Sequence, residues 1–472
     1  MKKLTRILLT LALAGALLCG GALAAGDGSL TVQLDGKALT FTDALPQMKD
    51  GRTFLPFRAL FEAMGAEVSY DSQTSVVTAV RGDRTITMAL GSNELTITEG
   101  GKSQTVLMDV APYVDTGTWR TYVPVRFAAQ ALNCAVGWEQ SSYTVLIVDT
   151  EKLVTSALAG KRFGYLDKLK AFAGKFDRGI WDVNADLTTG MSLLTMPVFT
   201  MEGTLRGTMQ DAEKMAMDMT MKVDLSGMSA MSALTGEIMN GAEQALMEAM
   251  GAEGMTLSMR LDRSAGAAYI NMKGIALEDL DPDAWYKLDG AAMTEADLPM
   301  TAVMDMDQSL DLVGMLADQL SAMELTDASS DYTSLKTRVE GLAAALADES
   351  FKKGENGAYT AAWSMTTEEG KTDYYLSLTL EGGTVTGCQV SVITGDTASS
   401  TSMTVTMSAD GQIKLETVQL SGGGLITSTT VMEGRYTQGT TPPETTPPTG
   451  AAVLELEDLD ALAGMSPLSL GK

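Results

Sequence analysis

Arg52-Thr53-Phe54-Leu55-Pro56-Phe57-Arg58 and Arg120-Thr121-Tyr122-Val123-Pro124-Val125-Arg126 are one device written twice, at an offset of 68 residues (120 minus 52). The offset holds beyond the seven: Ala63 meets Ala131, Val68 meets Val136, Tyr70 meets Trp138, Asp71 meets Glu139 and Val77 meets Val145, without a gap. In each copy a proline stands where a helix would start, a position at which its missing N–H is no loss. The apolar positions that follow, Phe57, Leu60, Phe61, Met64 and Val125, Ala128, Ala129, Leu132, fall at i, i+3, i+4, i+7 and make one buried stripe. Gly65 and Asn133 then occupy the place where left-handed backbone closes a helix. Residues Glu67 to Val80 and Ala135 to Val148 alternate in apolar character around a short polar turn and read as hairpins. Each unit is therefore expected to be a short helix laid on an antiparallel sheet. Arg58 and Arg126 recur together with Asp71 and Glu139, and an ion pair holding helix to hairpin is expected in each copy.

The order Gly51 to Arg58, a helix, Gly65-Ala66-Glu67-Val68-Ser69-Tyr70-Asp71 and a strand resembles the copper amine oxidase N-terminal (stalk) domain, over residues 28–150. Ala111-Pro112 stand where that family carries Ala-Pro upstream of its second half-repeat. The resemblance implies an antiparallel sheet twisted around short helices, as in many secreted and surface proteins of Gram-positive bacteria that carry no oxidase. It implies no activity. An amine oxidase holds its copper with three histidines, and this chain has no histidine at all. The same absence removes Ser-His-Asp and Cys-His nucleophile activation, His-Glu-x-x-His zinc sites and histidine acid–base work. No catalytic, cofactor-binding or metal-ligating set is assigned, and the expectation is a non-enzyme.

At 472 residues the chain is long enough for two or three domains. Residues 1–24 read as a signal peptide: Lys2, Lys3 and Arg6 precede an apolar run from Ile7 to Leu18, and Ala22-Leu23-Ala24 offers small residues for cleavage before Ala25. Cys19 carries the rival reading of a lipoprotein, against which stands Leu18 where such sites take glycine, alanine or serine. No later apolar run approaches the roughly 20 residues of a membrane helix. The expected location is secreted and associated with the cell surface. Beyond Cys19 only Cys134 and Cys388 remain, so no disulfide framework is indicated, and whether the two pair is left open. A net charge of −26 argues against nucleic acid and anionic lipid surfaces, which need basic patches.

Residues 153–436 read as a second, larger α+β domain with one large antiparallel sheet. A helix from Leu166 to Phe176 leads into strands near Trp181 to Leu187, Phe199 to Met209 and Met215 to Leu225. Helices are expected near Glu237 to Met250, Gln308 to Met323 and Tyr332 to Asp348. A last run of strands is punctuated at Gly382-Gly383, Gly395-Asp396, Asp410-Gly411 and Gly422-Gly423-Gly424. This order, with Tyr269-Ile270-Asn271-Met272 followed by Trp285-Tyr286-Lys287-Leu288, is similar to half-barrel carriers of the LolA and LppX type. That likeness implies a curved sheet and helices around an apolar cavity; a β-rich domain with a solid core is the alternative. Residues 437–450 read as a stiff Pro/Thr linker and 451–472 as an acidic tail with one short helix from Ala452 to Ala463.

Methionine is abundant, with 32 in the chain, and Met215, Met217, Met219 and Met221 at period two share one face of a strand. Thioether clusters bind Cu(I), whereas methionine also fills irregular cores and apolar cavity walls, the favoured reading here. Ser350-Phe351-Lys352-Lys353 matches an acylating dyad without its partner motifs and reads as a helix end. Asp279, Asp281 and Asp283 alternate as calcium ligands do, but Ala284 replaces the loop glycine, so a solvated turn is expected. Gly370-Lys371-Thr372 lacks the earlier glycine of a phosphate loop. The reading is an exported, non-enzymatic surface or wall-zone protein. Its expected partner is a cell-wall component, an apolar small molecule or another surface protein. A carboxylate-dependent wall-polymer hydrolase and a Met-rich Cu(I) binder are the rivals.

Overall fold

The computed structural model of the chain describes residues 30–139, 142–176, 179–210, 214–224, 226–227, 254–274, 281–289, 320, 332–367, 370–396 and 398–455. They fall into two units: 30–162 with 320 and 332–345, and 163–289 with 346–455.

The first unit contains β1 (Thr31–Leu34), β2 (Lys37–Ala38), β3 (Gln47–Lys49), β4 (Arg52–Pro56), α1 (Phe57–Ala63), β5 (Glu67–Asp71), β6 (Val76–Arg81), β7 (Arg84–Ala89), β8 (Glu94–Glu99), β9 (Lys102–Leu107), β10 (Tyr113–Asp115), β11 (Arg120–Pro124), α2 (Val125–Gln130), β12 (Cys134–Glu139), β13 (Thr144–Asp149) and α3 (Thr150–Leu158). The two repeats meet strand to strand. In the sheet β10-β11-β4-β3, Val123 lies opposite Leu55, Tyr122 opposite Pro56 and Pro124 opposite Phe54, so the copies are related by a local two-fold. Leu55, Val123 and the helix stripes Phe57, Leu60, Phe61 and Val125, Ala128, Ala129 turn to one core. Phe54 and Tyr122 turn to the other face, over Ala44. Gly65 and Asn133 both have positive φ, at 79° and 57°, as the helix ends require. The two hairpins pair as expected, Glu67 with Val80 and Ala135 with Val148. Beyond them the copies diverge: the first hairpin grows into the five-stranded sheet β5 to β9, while β13 pairs in parallel with β1.

The expected Arg58–Asp71 ion pair is not formed. Asp71 ends β5 at a tight turn, where its carboxylate accepts the Gln73 N–H at 2.8 Å and the Thr74 hydroxyl at 2.8 Å, and Arg58 is exposed in the first turn of α1. Two other arginines close the helix ends. Arg81 donates to the Met64 carbonyl past α1, and Arg84 donates to the Ala131 carbonyl past α2 and to the Asn133 side chain. Their cations sit where carbonyls are left without intrahelical donors. The arginines at the start of the motif form ion pairs too. Arg52 meets Asp109 at 2.6 Å and Arg120 meets Asp43, so each copy takes its carboxylate from the segment leading into the other copy's hairpin.

The second unit contains α4 (Gly164–Ala173), β14 (Ile180–Leu193), β15 (Met196–Gln210), β16 (Lys214–Asp224), β17 (Met255–Asp262), β18 (Ala267–Lys273), β19 (Trp285–Asp289), β20 (Lys352–Lys353), β21 (Tyr359–Thr367), β22 (Gly370–Glu381), β23 (Thr384–Gly395), β24 (Ser400–Ser408), β25 (Gln412–Ser421), β26 (Ile426–Gln438) and β27 (Val453–Glu455). All fourteen strands form one sheet, in the order β20 to β26, then β14 to β19, then β27. Every pairing is antiparallel except the last. The expected large sheet is present, with strands longer than their alternating cores suggested. Helix α5 (Tyr332–Leu346), expected within the second domain, goes almost wholly with the first unit, where the Tyr332 ring lies against Gly36. The helix expected over 237–250, all but Leu320 of 308–323, the signal segment 1–24 and residues 456–472 lie outside the described residues.

The tail begins as a strand, not a helix. Val453, Leu454 and Glu455 pair in parallel with Trp285, Tyr286 and Lys287, and the Trp285 N–H donates to the Ala452 carbonyl at 2.8 Å. A Pro-rich segment delivers extended backbone, and the edge of β19 offers unpaired donors and acceptors to receive it. Among the described residues no helix is long and apolar enough to cross a membrane.

Candidate apolar binding face

Alternation within one strand says which residues share a face, and register says which residues of neighbouring strands stand side by side. In the large sheet the register aligns the apolar positions into rows. One row crosses eleven strands: Tyr359, Leu378, Cys388, Met407, Ile413, Gly434, Ala185, Leu205, Met219, Leu257 and Met272. The next row on that face reads Ala361, Leu376, Val390, Val405, Leu415, Met432, Leu187, Gly203, Met221 and Met255. The row between them, on the opposite face, is wholly polar: Thr360, Ser377, Gln389, Thr406, Lys414, Glu433, Asp186, Thr204, Thr220, Thr256 and Lys273. That polar face is laced by ion pairs, among them Lys414–Glu433 at 2.7 Å, Arg206–Asp186 at 2.8 Å and Arg260–Asp218 at 3.1 Å.

Burial varies along the apolar face. Leu378, Met407, Ile413, Ala185 and Leu205 are buried. One row on, Ala361, Leu376, Val390, Val405 and Met221 are buried, and Leu415, Met432 and Leu187 are half-buried. A third row, Trp363, Tyr374, Val392, Met403, Thr417, Thr430, Thr189, Met201 and Val223, is half-buried apart from Tyr374. It also introduces polar groups. The hydroxyls of Thr189 and Thr430 share a hydrogen bond at 3.1 Å. The Trp363 ring stacks on Tyr374, centroids 5.5 Å apart, and its buried indole N–H has no hydrogen-bond acceptor among the described residues. An unmet buried donor of this kind costs about 1–3 kcal/mol.

The methionine stripe belongs to these rows. Met215, Met217 and Met221 are buried and Met219 is half-buried. Their direct neighbours across the strands are mixed: Met209 and Leu261 for Met215, Gly207 and Met259 for Met217, Leu205 and Leu257 for Met219, Gly203 and Met255 for Met221. Glycine at 207 and 203 makes room for the thioether stems, since an added Cβ would stand 2.7 Å from the Met217 Cγ and 3.2 Å from the Met221 Cγ. The side chains therefore lie across bare backbone as wall material. At the β21 to β23 end, α4 packs on β23. Its first turn is tied down by Asp348, which accepts the Tyr165 N–H at 3.0 Å, and the Tyr165 ring stacks on Phe351 at 4.5 Å and leans on Tyr359 at 5.2 Å.

The other residues singled out by sequence do not converge on this face. Ser350 donates its hydroxyl to the Ala347 carbonyl at the end of a short helical turn, and Lys353 lies on β20. Asp281 accepts the Asp283 N–H within a turn, and Lys371 pairs with Asp373 on β22. Among the described residues no three His, Cys, Asp or Glu side chains gather as metal ligands would. Cys134 and Cys388 are free thiols. Cys134 fills the place of buried Ala66 in the other repeat, and burial pushes its thiol up to about 12. Sequence reasoning missed Trp363 and the threonines of the third row, because a tryptophan and isolated threonines in a strand carry no mark of a shared row until the register is known.

Residues 33–147 match the profile of the copper amine oxidase N-terminal domain. No curated protein matches the chain.

Proposed function

We propose that this is an exported, non-enzymatic binding protein of the cell surface or wall zone, in which residues 33–147 serve as a stalk and the second unit holds an apolar small molecule. The observation that carries the reading is the apolar row across eleven strands, accompanied on the same face by a half-buried row around Trp363, while the opposite face is polar. Glycine at 203, 207 and 434, where an added Cβ would crowd the neighbouring strand, supports a sheet curved toward this face as a half-barrel. Export is supported by the basic and then apolar segment from Lys2 to Leu18 with Ala22-Leu23-Ala24 behind it.

The ligand is an amphiphile with at least one hydrogen-bond acceptor, an ester or amide carbonyl for example. Its chain covers the half-buried rows and its acceptor meets the Trp363 indole N–H. Mass spectrometry of protein purified without detergent should find a bound lipid. Trp363→Phe, which keeps the ring stack and removes the donor, should lower its occupancy roughly five- to tenfold at limiting ligand, the worth of one hydrogen bond. Protein that carries no lipid and takes up none from added fatty-acyl esters would end this reading.

A further inference from the structure

The hairpin joining β14 to β15 and the hairpin joining β25 to β26 end side by side, linked by the Leu194 N–H donating to the Leu425 carbonyl. Five large apolar side chains stand in water there: Leu194 at 60% exposure, Leu425 at 51%, Met196 at 47%, Ile426 at 40% and Leu420 at 37%. Leu194 also holds a left-handed backbone, φ 59°, at a turn position that glycine or asparagine fills at less cost. Folding by itself favours neither the backbone strain nor the exposure.

Charge is absent from the same segments. Residues 187–201 and 417–432 contain no Asp, Glu, Lys or Arg, in a chain of net charge −26. At about 3.3 Å per strand residue, Asp186 and Glu202 lie roughly 25 Å back from Leu194, some three screening lengths at physiological salt. The charges that flank the tip are acidic or balanced: Asp396 on the turn whose Ala398 carbonyl accepts the Gly423 N–H, and Lys222 with Asp224 beyond Thr200 on β16. Behind the apolar turns come hydroxyls, Ser192, Thr427, Ser428 and Thr429, able to bond polar headgroups.

We propose that this paired hairpin tip docks into the surface of a zwitterionic lipid bilayer. Narrow turns with apolar ends followed by a belt of hydroxyls match a membrane surface into which apolar groups insert by about 5–10 Å at the boundary between headgroups and acyl chains. The missing charges match a surface without net charge, and the acidic flank selects against an anionic one. The proposal rests on the two hairpins and stands whether or not the sheet carries a bound molecule.

Flotation of the full chain with phosphatidylcholine vesicles tests it. The wild type should float with the vesicles, and Leu194→Asp/Leu425→Asp should lower the bound fraction at least tenfold. Both positions are more than half exposed and aspartate tolerates left-handed backbone, so an unchanged circular dichroism spectrum and Tm are expected of the variant. Leu107→Asp, which removes an exposed leucine from the first unit, should float like the wild type. Failure of the wild type to float, equal flotation of the double variant, or an equal loss in Leu107→Asp would each overturn the proposal. So would a dimer in the absence of vesicles that the double substitution dissolves, which would assign the tip to a second copy. Bound lipid, read by mass spectrometry in the same preparations, reports on the ligand of the sheet separately.

Discussion

The Arg81 guanidinium is only 20% exposed and meets two acceptors that have few alternatives, the Met64 carbonyl at 3.3 Å and the Asp149 carboxylate at 2.9 Å. Asp149 in turn caps α3 by accepting the Lys152 N–H at 3.1 Å. Arg81→Ala should therefore lower stability by about 2–3 kcal/mol, the cost of half-buried charged acceptors left unmet, whereas Arg58→Ala at an exposed position should stay within about 0.5 kcal/mol. Urea unfolding of the two variants separates them. The buried Cys134 thiol makes stability sensitive to alkali. Burial holds the Cys134 thiol protonated up to about 12, while an unfolded thiol titrates near 8.5. The folded state then binds more protons than the unfolded state above pH ~8.5, so this contribution is level below that pH and stability falls as pH rises toward 12. Urea midpoints between pH 7 and 10.5 should show the decline, and Cys134→Ala, which copies Ala66, should make it shallower. At this scale sequence located the small buried position at Cys134 and the left-handed caps at Gly65 and Asn133. It mispaired Arg58, since a repeat shows that two charges recur but not which side chain turns toward which.

Strand β27 is three residues long, and its Val453 and Leu454 are each 46% exposed, so backbone pairing and not side-chain burial holds it on β19. Ending the chain after Gly450 should free that edge. The amides of residues 285–287 should then exchange faster with solvent, and the truncated protein should self-associate with rising concentration in analytical ultracentrifugation, because an unpaired edge recruits another strand. Elements whose signals are local were legible: the proline-started helices with their apolar stripe, and hairpins turned by paired glycines. The outer halves of β14 and β26 were not, because Thr188-Thr189-Gly190 and Thr427-Ser428-Thr429-Thr430 interrupt the apolar alternation. They are strands because long partners lie on both sides, which no window of sequence contains. The Val453 segment was read as helix for the same reason, its partner being more than 160 residues away in sequence (453 minus 285).

In the second unit the charged and the apolar side chains of the large sheet are separated. Carboxylates and their lysine and arginine partners line the polar face of the large sheet, the apolar rows occupy the other face, and two uncharged hairpins close one end. Composition predicted an acidic protein averse to nucleic acid, and the absence of histidine removed most familiar catalytic arrangements. Neither could place the charges. Sequence by itself determined the two-copy module within residues 28–150 and the presence of a sheet-rich second unit, because helix caps, prolines, turn glycines and period-two alternation act over a few residues. Only the tertiary structure decided that the copies exchange carboxylates through Arg52 and Arg120, that α5 joins the first unit, and that eleven strands align one unbroken apolar row. Alternation is unchanged by a slip of two residues, so it marks a face and leaves the register to pairing between distant segments.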